Sequence, residues 1–261
     1  VNLARRIARW RGIWKSLVVY RFNAGHRRSL RRFYMPFVGP GETVFDIGAH
    51  VGDRTAAFRG AGAGRVIAVE PQPHLARLLR WQFAGRGDAV RVVAKAVGRA
   101  PGEVTLRVNT QNPTVASASS GFVDAASAGA AGWEGQIWDE TVVVDLTTLD
   151  ELVAEFGRPA FVKIDVEGFE DEVLAGLSPQ NAPDALSFEF VTIHRAPAFR
   201  ALEEATRLGY TRFDVSLGES QKMMFGEPQT LEAIAACLRE LPDAANSGDV
   251  YCWLPQPRRH G

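Results

Sequence analysis

The chain has 261 residues, which suits one α/β domain with additions and leaves ample material for a buried core. An apolar fraction of 46% and 30 basic against 30 acidic residues describe a soluble globular protein and exclude a disordered or membrane-embedded one. Cys237 and Cys252 are too few and too far apart for a metal knuckle, a redox pair or a disulfide framework, and read as thiols buried in a reducing cytoplasm.

The zero net charge hides an asymmetry. Ten bases from Arg5 to Arg32 precede the first acid, Glu42; setting them aside leaves 20 bases against 30 acids, about −10 for the rest. Residues 1–41 therefore read as a basic, partly amphipathic arm, with Leu3, Ile7, Trp10, Trp14, Leu17 and Val18 at helical spacing among the arginines. Such an arm either packs on the domain with a solvated basic face or attaches to an anionic membrane surface or a charged glycan carrier. No nucleic-acid-binding motif is present, so nucleic acid is not an expected partner. No signal peptide or membrane span is evident, since the apolar stretch around Trp14 is short and broken by Lys15. The expected location is the cytoplasm, peripheral to the inner membrane surface if the arm binds there.

Residues 42–257 read as the domain and 258–261 as a tail. Val44 to Ile47 is a short apolar run broken by Asp46, the pattern of a buried strand. Gly48 and Gly52 then turn the chain into a helix from Asp53 to Arg59, whose first N–H groups are free to meet a ligand. A second strand, Arg65 to Val69, ends in Glu70, about 20 residues past the glycines, where an acid accepts hydrogen bonds from both hydroxyls of a ribose. The turn is not the G-x-G-x-x-G of a dinucleotide site, and Asp46 beside it would repel a pyrophosphate. Asp46 suits a cationic ligand instead, such as the amino group of S-adenosylmethionine.

Further strands and helices alternate. Pro73 to Ala84 reads as a helix and Val90 to Val97 as a third strand; Glu103 to Val108 reads as an antiparallel addition. Residues 109–140 have little periodicity and many Ala, Ser and Gly, and read as an irregular loop or lid. Thr141 to Asp145 is a short strand, and Thr148 to Glu151 is a capping box opening a helix to Phe156. Phe161 to Val166 is a core strand, followed by a helix from Phe169 to Leu177. Leu186 to Val191, Tyr210 to Leu217, Lys222 to Phe225 and Val250 to Leu254 read as strands, and Pro197 to Leu208 and Pro228 to Leu241 as helices. The sum is a doubly wound sheet of about seven strands with an antiparallel strand near the C-terminus.

A second charged stretch lies in Phe161 to Glu170. On a strand Lys163, Asp165 and Glu167 point the same way, which is costly unless they pair or face a wet site. Asp165 and Glu167 lie at the carboxyl end, where open α/β sheets bind ligands; Lys163, deeper, neutralises a neighbouring carboxylate. A purely structural ion-pair network is the competing reading.

Taken together, Val44 to Gly52, Val69-Glu70-Pro71, the Lys163-Ile164-Asp165-Val166-Glu167-Gly168 run, Val173 to Gly176, and Leu186 to Val191 with His194 resemble the FkbM-type methyltransferases. The resemblance covers roughly 42–217. It implies the Rossmann-like class I methyltransferase fold and transfer of a methyl group from S-adenosylmethionine, usually to a hydroxyl of a sugar, polyketide or other natural product. By the same resemblance Asp46, Gly48, Ala49 and Gly52 line the methionine end of the cofactor and Glu70 holds the ribose. Pro71 and Gln72 follow it, Lys95 and Ala96 border the adenine, and Asp165 lies near the sulfonium and acceptor. His50 lies inside the glycine turn, where it either contacts cofactor or acceptor or is exposed at the surface.

Methyl transfer to oxygen needs an acceptor held in line and a base for its proton. Asp165, Glu167, Glu189 and His194 are the candidates. His194 is attractive because imidazole titrates near neutrality, although it also fits a loop cap. The same four could hold a divalent metal, but no local metal motif supports this and none is expected. Two other readings compete with the methyltransferase: an NAD-type oxidoreductase, disfavoured by the missing third glycine and by Asp46, and a non-catalytic scaffold docked through the arm.

Overall fold

The computed structural model describes residues 11–14, 17, 23–129 and 133–255. Leu3, Ile7, Trp10 and Val18 of the arm, and the tail at 258–261, lie outside the described residues. In chain order the elements are α1 (Ala24–Tyr34), β1 (Thr43–Ile47), α2 (Asp53–Ala61), β2 (Arg65–Val69), α3 (Pro73–Gln82), β3 (Val90–Val93), β4 (Ala96–Val97), β5 (Gly102–Val108), α4 (Ser120–Ser127) and β6 (Glu140–Thr147). They continue with α5 (Leu149–Phe156), β7 (Phe161–Ile164), α6 (Glu170–Ala175), β8 (Ala185–Val191), α7 (Ala196–Arg207), β9 (Arg212–Leu217), α8 (Leu231–Glu240) and β10 (Ser247–Trp253).

Seven strands form the main sheet in the order β3-β2-β1-β7-β8-β10-β9. Its pairs are parallel except those of β10, which runs antiparallel between β8 and β9. This is the Rossmann-like, doubly wound order of a class I methyltransferase fold, and it reverses direction between β1 and β7. Ligands bind at such a reversal, beyond the carboxyl ends of the strands.

The period-2 alternation of the strands sorts their side chains into two layers. Phe45, Ile47, Ile67, Val69, Val162, Ile164, Leu186 and Phe188 face one side and form a continuous core with α5 to α8. Val44, Val66, Phe161, Ala185 and Tyr251 face the other, under Leu30 and Tyr34 of α1 and Phe58 of α2. Toward its carboxyl end this second face turns polar: Asp46 lies beside Lys163 and Lys163 beside Ser187 across β1, β7 and β8.

The described part of the arm packs on the domain. Tyr34 is fully buried with its ring 4.5 Å from that of Phe58, and Ile13 and Leu17 pack with Val51 and Leu75. Arg27, Arg28, Arg31 and Arg32 stay exposed on the outer side of α1. Among the described residues no helix is long and apolar enough to cross a membrane. Cys252 is buried and Cys237 only half-buried; both are free thiols.

Three sequence expectations are corrected. Val90 to Val97 is two strands, because β3 pairs with β2 while β4 leaves for a separate small sheet, β4-β6-β5. Lys222 to Phe225 forms no strand. Its backbone is captured locally, with Met224 N–H donating to Val215 O at 2.7 Å and Phe225 and Gly226 N–H donating to the Asp214 carboxylate at 3.1 Å each. Residues 109–140 are not irregular throughout: Ser119 caps α4, which buries Phe122, Val123 and Ala126. Its many small residues carry too little hydrophobic contrast to show a period.

Candidate active site

The turn after β1 is shaped by backbone contact. Gly48 and Ala49 N–H both donate to Val69 O, at 2.9 and 3.0 Å. Gly48 has φ +83, and a Cβ there would meet the Asp165 carbonyl oxygen at 1.8 Å. Only glycine lets the β1 turn lie against the chain leaving β7. His50 follows in the same left-handed region, at φ 47, and its N–H donates to Glu70 Oε2 at 2.9 Å.

Glu70 accepts a second backbone bond, from Gln72 N–H to Oε1 at 2.8 Å. Each oxygen keeps a lone pair for a further donor. Burial lifts the Glu70 carboxyl to about 7 against the pull of these two N–H groups. Burial likewise lifts Asp46 to about 6, opposed by a hydrogen bond from Thr55 Oγ1 at 2.5 Å, and pushes His50 down to about 4.

The second cluster is built around Lys163, which is 0% exposed. Its ammonium lies 3.3 Å from Asp165 Oδ2 and 2.8 Å from Asp249 Oδ1 on β10, and donates to Ile164 O at 3.1 Å. Burial alone would raise the Asp165 carboxyl, but Lys163, Arg54 and a hydrogen bond from Glu189 hold it below the usual carboxylate range. Glu167 and Glu189 move the other way: burial and the Asp165 charge push both well up. The set therefore favours negative charge on Asp165 over the two glutamates. Glu167 is held at φ 58 and Gly168 at φ +89, so the chain after β7 folds back instead of continuing as strand. Glu170 accepts from Val166 and Gly168 N–H, at 3.1 Å each, and fixes that turn.

The segment between β5 and β6 roofs the site. Ser117 Oγ donates to Glu167 O at 2.6 Å, and Phe122 lies so close to Gly168 that a Cβ there would come within 2.9 Å of its own. The roof is thus latched to the charged turn.

Between these parts lies a cavity of about 550 Å³, of the size that takes a nucleoside-bearing cofactor. Gly48, His50, Glu70, Pro71, Gln72, Lys95 and Ala96 line it, as do Asp165, Glu167 and Glu189. Asp46, Ala49 and Gly52 do not: Asp46 is turned to Thr55, and Ala49 packs with Leu79 and Phe83. His194 does not line it either; it packs half-buried on α4, its imidazole pushed down by burial and by Arg200. Arg54, Asp249 and Trp133 line the cavity and escaped the sequence reading. An acid within the apolar run of β10 was a legible signal for Asp249. Arg54 and Trp133 had none, being an ordinary helical arginine and a lone aromatic in a small-residue segment.

The donor set fits S-adenosylmethionine. Among the described residues Glu70 has no ion-pair partner, and it retains lone pairs, which suits a ribose diol; the charge favoured on Asp165 suits a cationic sulfur. Asp165, Glu167 and Glu189 also present oxygens within 4.8 Å of one another, a set that could hold a divalent cation.

A sequence search of curated proteins finds no match. Among solved structures the chain is similar to the methyltransferase FkbM of Methylobacillus flagellatus KT, at 15% identity and TM-score 0.48, over 96% of this chain and 58% of that one. It is similar to the precorrin-6y C5,15-methyltransferase of Geobacter metallireducens GS-15, at 12% identity and TM-score 0.45, over 85% and 87%. It is also similar to an S-adenosylmethionine-dependent O-methyltransferase of Thermotoga maritima, at 14% identity and TM-score 0.43, over 89% and 66%. The model of the methyltransferase FkbM domain matches residues 46–210, more than half of the chain, which therefore belongs to this family of S-adenosylmethionine-dependent methyltransferases.

Proposed function

We propose that the protein methylates a hydroxyl oxygen on a sugar, glycan or related natural product. One observation carries this: a single cavity is lined both by Glu70, suited to a ribose diol, and by the Asp165, Glu167 and Glu189 carboxyls, suited to a hydroxyl and its proton. S-adenosylmethionine supplies an electrophilic methyl group when bound. Gly48, Glu70, Gln72, Lys95 and Ala96 would hold it, with Asp165 toward its cationic end.

The chain supplies position and a place for a proton. A sugar hydroxyl is a poor nucleophile at neutral pH, and a base within hydrogen-bond reach is worth about 10²–10⁴-fold. The Asp165–Glu189 pair, holding one negative charge beside Lys163, accepts that proton. The roof covers the same space. Charge compensation of Asp165 by Lys163 and Glu189 favours this use of the carboxyls over a metal site.

Calorimetric titration with S-adenosylhomocysteine, with NADH as control, tests the cofactor; saturable binding of the first alone is expected. Methyl transfer from labelled S-adenosylmethionine to a panel of glycosides tests the rest. Asp165→Asn is expected to lower kcat by about 10²-fold or more, with S-adenosylhomocysteine affinity changed less than about threefold. EDTA is expected to leave turnover intact. No S-adenosylhomocysteine binding by folded protein would overturn the proposal, and full activity of Asp165→Asn would remove the pair from the mechanism.

A further inference from the structure

The roof carries a polar atom that nothing described in the protein satisfies. Trp133 is 7% exposed, lines the cavity, and its indole Nε1 has no hydrogen-bond partner among the described residues. Its ring is fixed edge-on to the fully buried Phe122, with centroids 5.1 Å apart and planes at 87°. The neighbouring Trp138 shows the ordinary solution, its Nε1–H donating to Val115 O at 2.8 Å. A buried donor left unmet costs its full desolvation, so its persistence calls for a ligand that completes it.

Trp133 shares the cavity with two other unmet atoms. Glu167 Oε2 and Glu189 Oε2 are buried and have no partner among the described residues. One surplus donor and two surplus carboxyl oxygens thus belong to residues that line one cavity. The complement is a ring that offers both an oxygen acceptor and several O–H donors. An acidic ring held against Glu167 and Glu189 would meet the Asp165 and Asp249 carboxyls, with Lys163 already paired with both; of the cations that line the cavity, Arg54 is paired with Asp53 and Glu219, and Lys95 lies exposed at the end proposed for the cofactor. Resting on the methyltransferase reading above, we infer that Trp133 is the acceptor-binding residue: its indole N–H donates to an uncharged, polyhydroxylated ring held under the roof against Glu167 and Glu189.

The test uses ¹⁵N-tryptophan-labelled full chain, with Trp133→Phe assigning the Trp133 indole signal among the six. Phenylalanine keeps the packing on Phe122 and removes only the donor; Trp133→Tyr serves for the assignment if the first variant fails to fold. Methyl glycosides of glucose, galactose, mannose and rhamnose are titrated with and without S-adenosylhomocysteine, beside the methyl glycoside of glucuronate and MgCl2 alone. A saturable shift of the Trp133 signal is expected with at least one neutral glycoside. Its Kd should rise about tenfold or more in Trp133→Phe, with S-adenosylhomocysteine affinity within twofold of the parent. S-adenosylhomocysteine binding with no Trp133 shift for any glycoside would overturn this inference and leave the methyltransferase reading standing. Failure of S-adenosylhomocysteine to bind would overturn that reading, while a glycoside shift in the same sample would still support the subsite. Equal binding of the glucuronoside, or Mg²⁺ that displaces the glycoside, would overturn the assignment of an uncharged ring to these carboxyls.

Discussion

Glu70 and Asp165 are both acids at the ends of parallel strands, yet their surroundings set them apart. Asp165 has the Lys163 ammonium at 3.3 Å and stays charged. Glu70 has only two backbone N–H groups, and burial lifts it to about 7. Hydroxyl donors from a ribose favour the ionised carboxylate, so a bound nucleoside must pull the Glu70 proton off. Affinity for S-adenosylhomocysteine is therefore expected to strengthen as pH rises from 6 to 8, by about tenfold for one group titrating near 7. Glu70→Gln should bind more weakly and lose most of this dependence. Calorimetry across that range, in buffers of different ionisation enthalpy, reads both the affinity and the proton released. A steep profile surviving in Glu70→Gln would assign the titration to another group. Both acids were legible in the sequence because a carboxylate closing an apolar strand demands an explanation. Asp249 carried the same signal in β10, whereas Arg54 and Trp133 became visible only in three dimensions, Trp133 reaching the cavity from a segment remote in the chain.

The same divide runs through the elements. β1, β2, β7 and β8 are short apolar runs with glycine or acid at their ends, and local pattern suffices to place them. The small sheet was not legible, since β4 continues the pattern of β3 and only its partner, β6, distinguishes them. Nor was the roof, whose helix α4 is written mostly in Ala, Ser and Gly and is recognisable by what it packs on rather than by its period. The latch between roof and charged turn has a testable consequence. Gly168 sits at φ +89 with Phe122 Cβ 2.9 Å from where its own Cβ would be. Gly168→Ala adds a strained backbone and a clash at one point, and is expected to cost about 1–3 kcal/mol of stability. Because that contact joins α4 to the turn carrying Glu167, the loss should open the roof first. Limited proteolysis within 109–140 should quicken before global unfolding begins, and KM for the acceptor should rise more than that for S-adenosylmethionine. Uniform destabilisation with unchanged roof cleavage would mean the roof is held elsewhere.

At the scale of the molecule, the sheet's second face is apolar under α1 and polar under the cavity, and that polarity is held by burial rather than by full pairing. Four glutamates there hold their protons to higher pH than an unfolded chain would: Glu70 and Glu170 to near 7, with Glu167 and Glu189 also pushed well up by burial. An unfolded glutamate titrates at about 4.3, so above that pH the folded chain binds more protons than the unfolded one. Stability must then fall as pH rises through these folded values. His50 acts in the opposite sense. Burial holds it neutral down to about 4, whereas the unfolded imidazole charges below its ordinary 6.5, so its contribution grows with pH up to 6.5 and is constant beyond. Asp53 and Asp165, both held low, titrate below this range and do not oppose the carboxyls. The Tm of the ligand-free protein is accordingly expected to decline between pH 6.5 and 8. Saturating S-adenosylhomocysteine should make that decline shallower, since Glu70 ionises in the complex at lower pH. Scanning calorimetry with and without the ligand measures both slopes. A ligand-free Tm that holds level or climbs across this interval would show that the four carboxyls are charged in the folded protein, and that a cation or water not built by this chain compensates them.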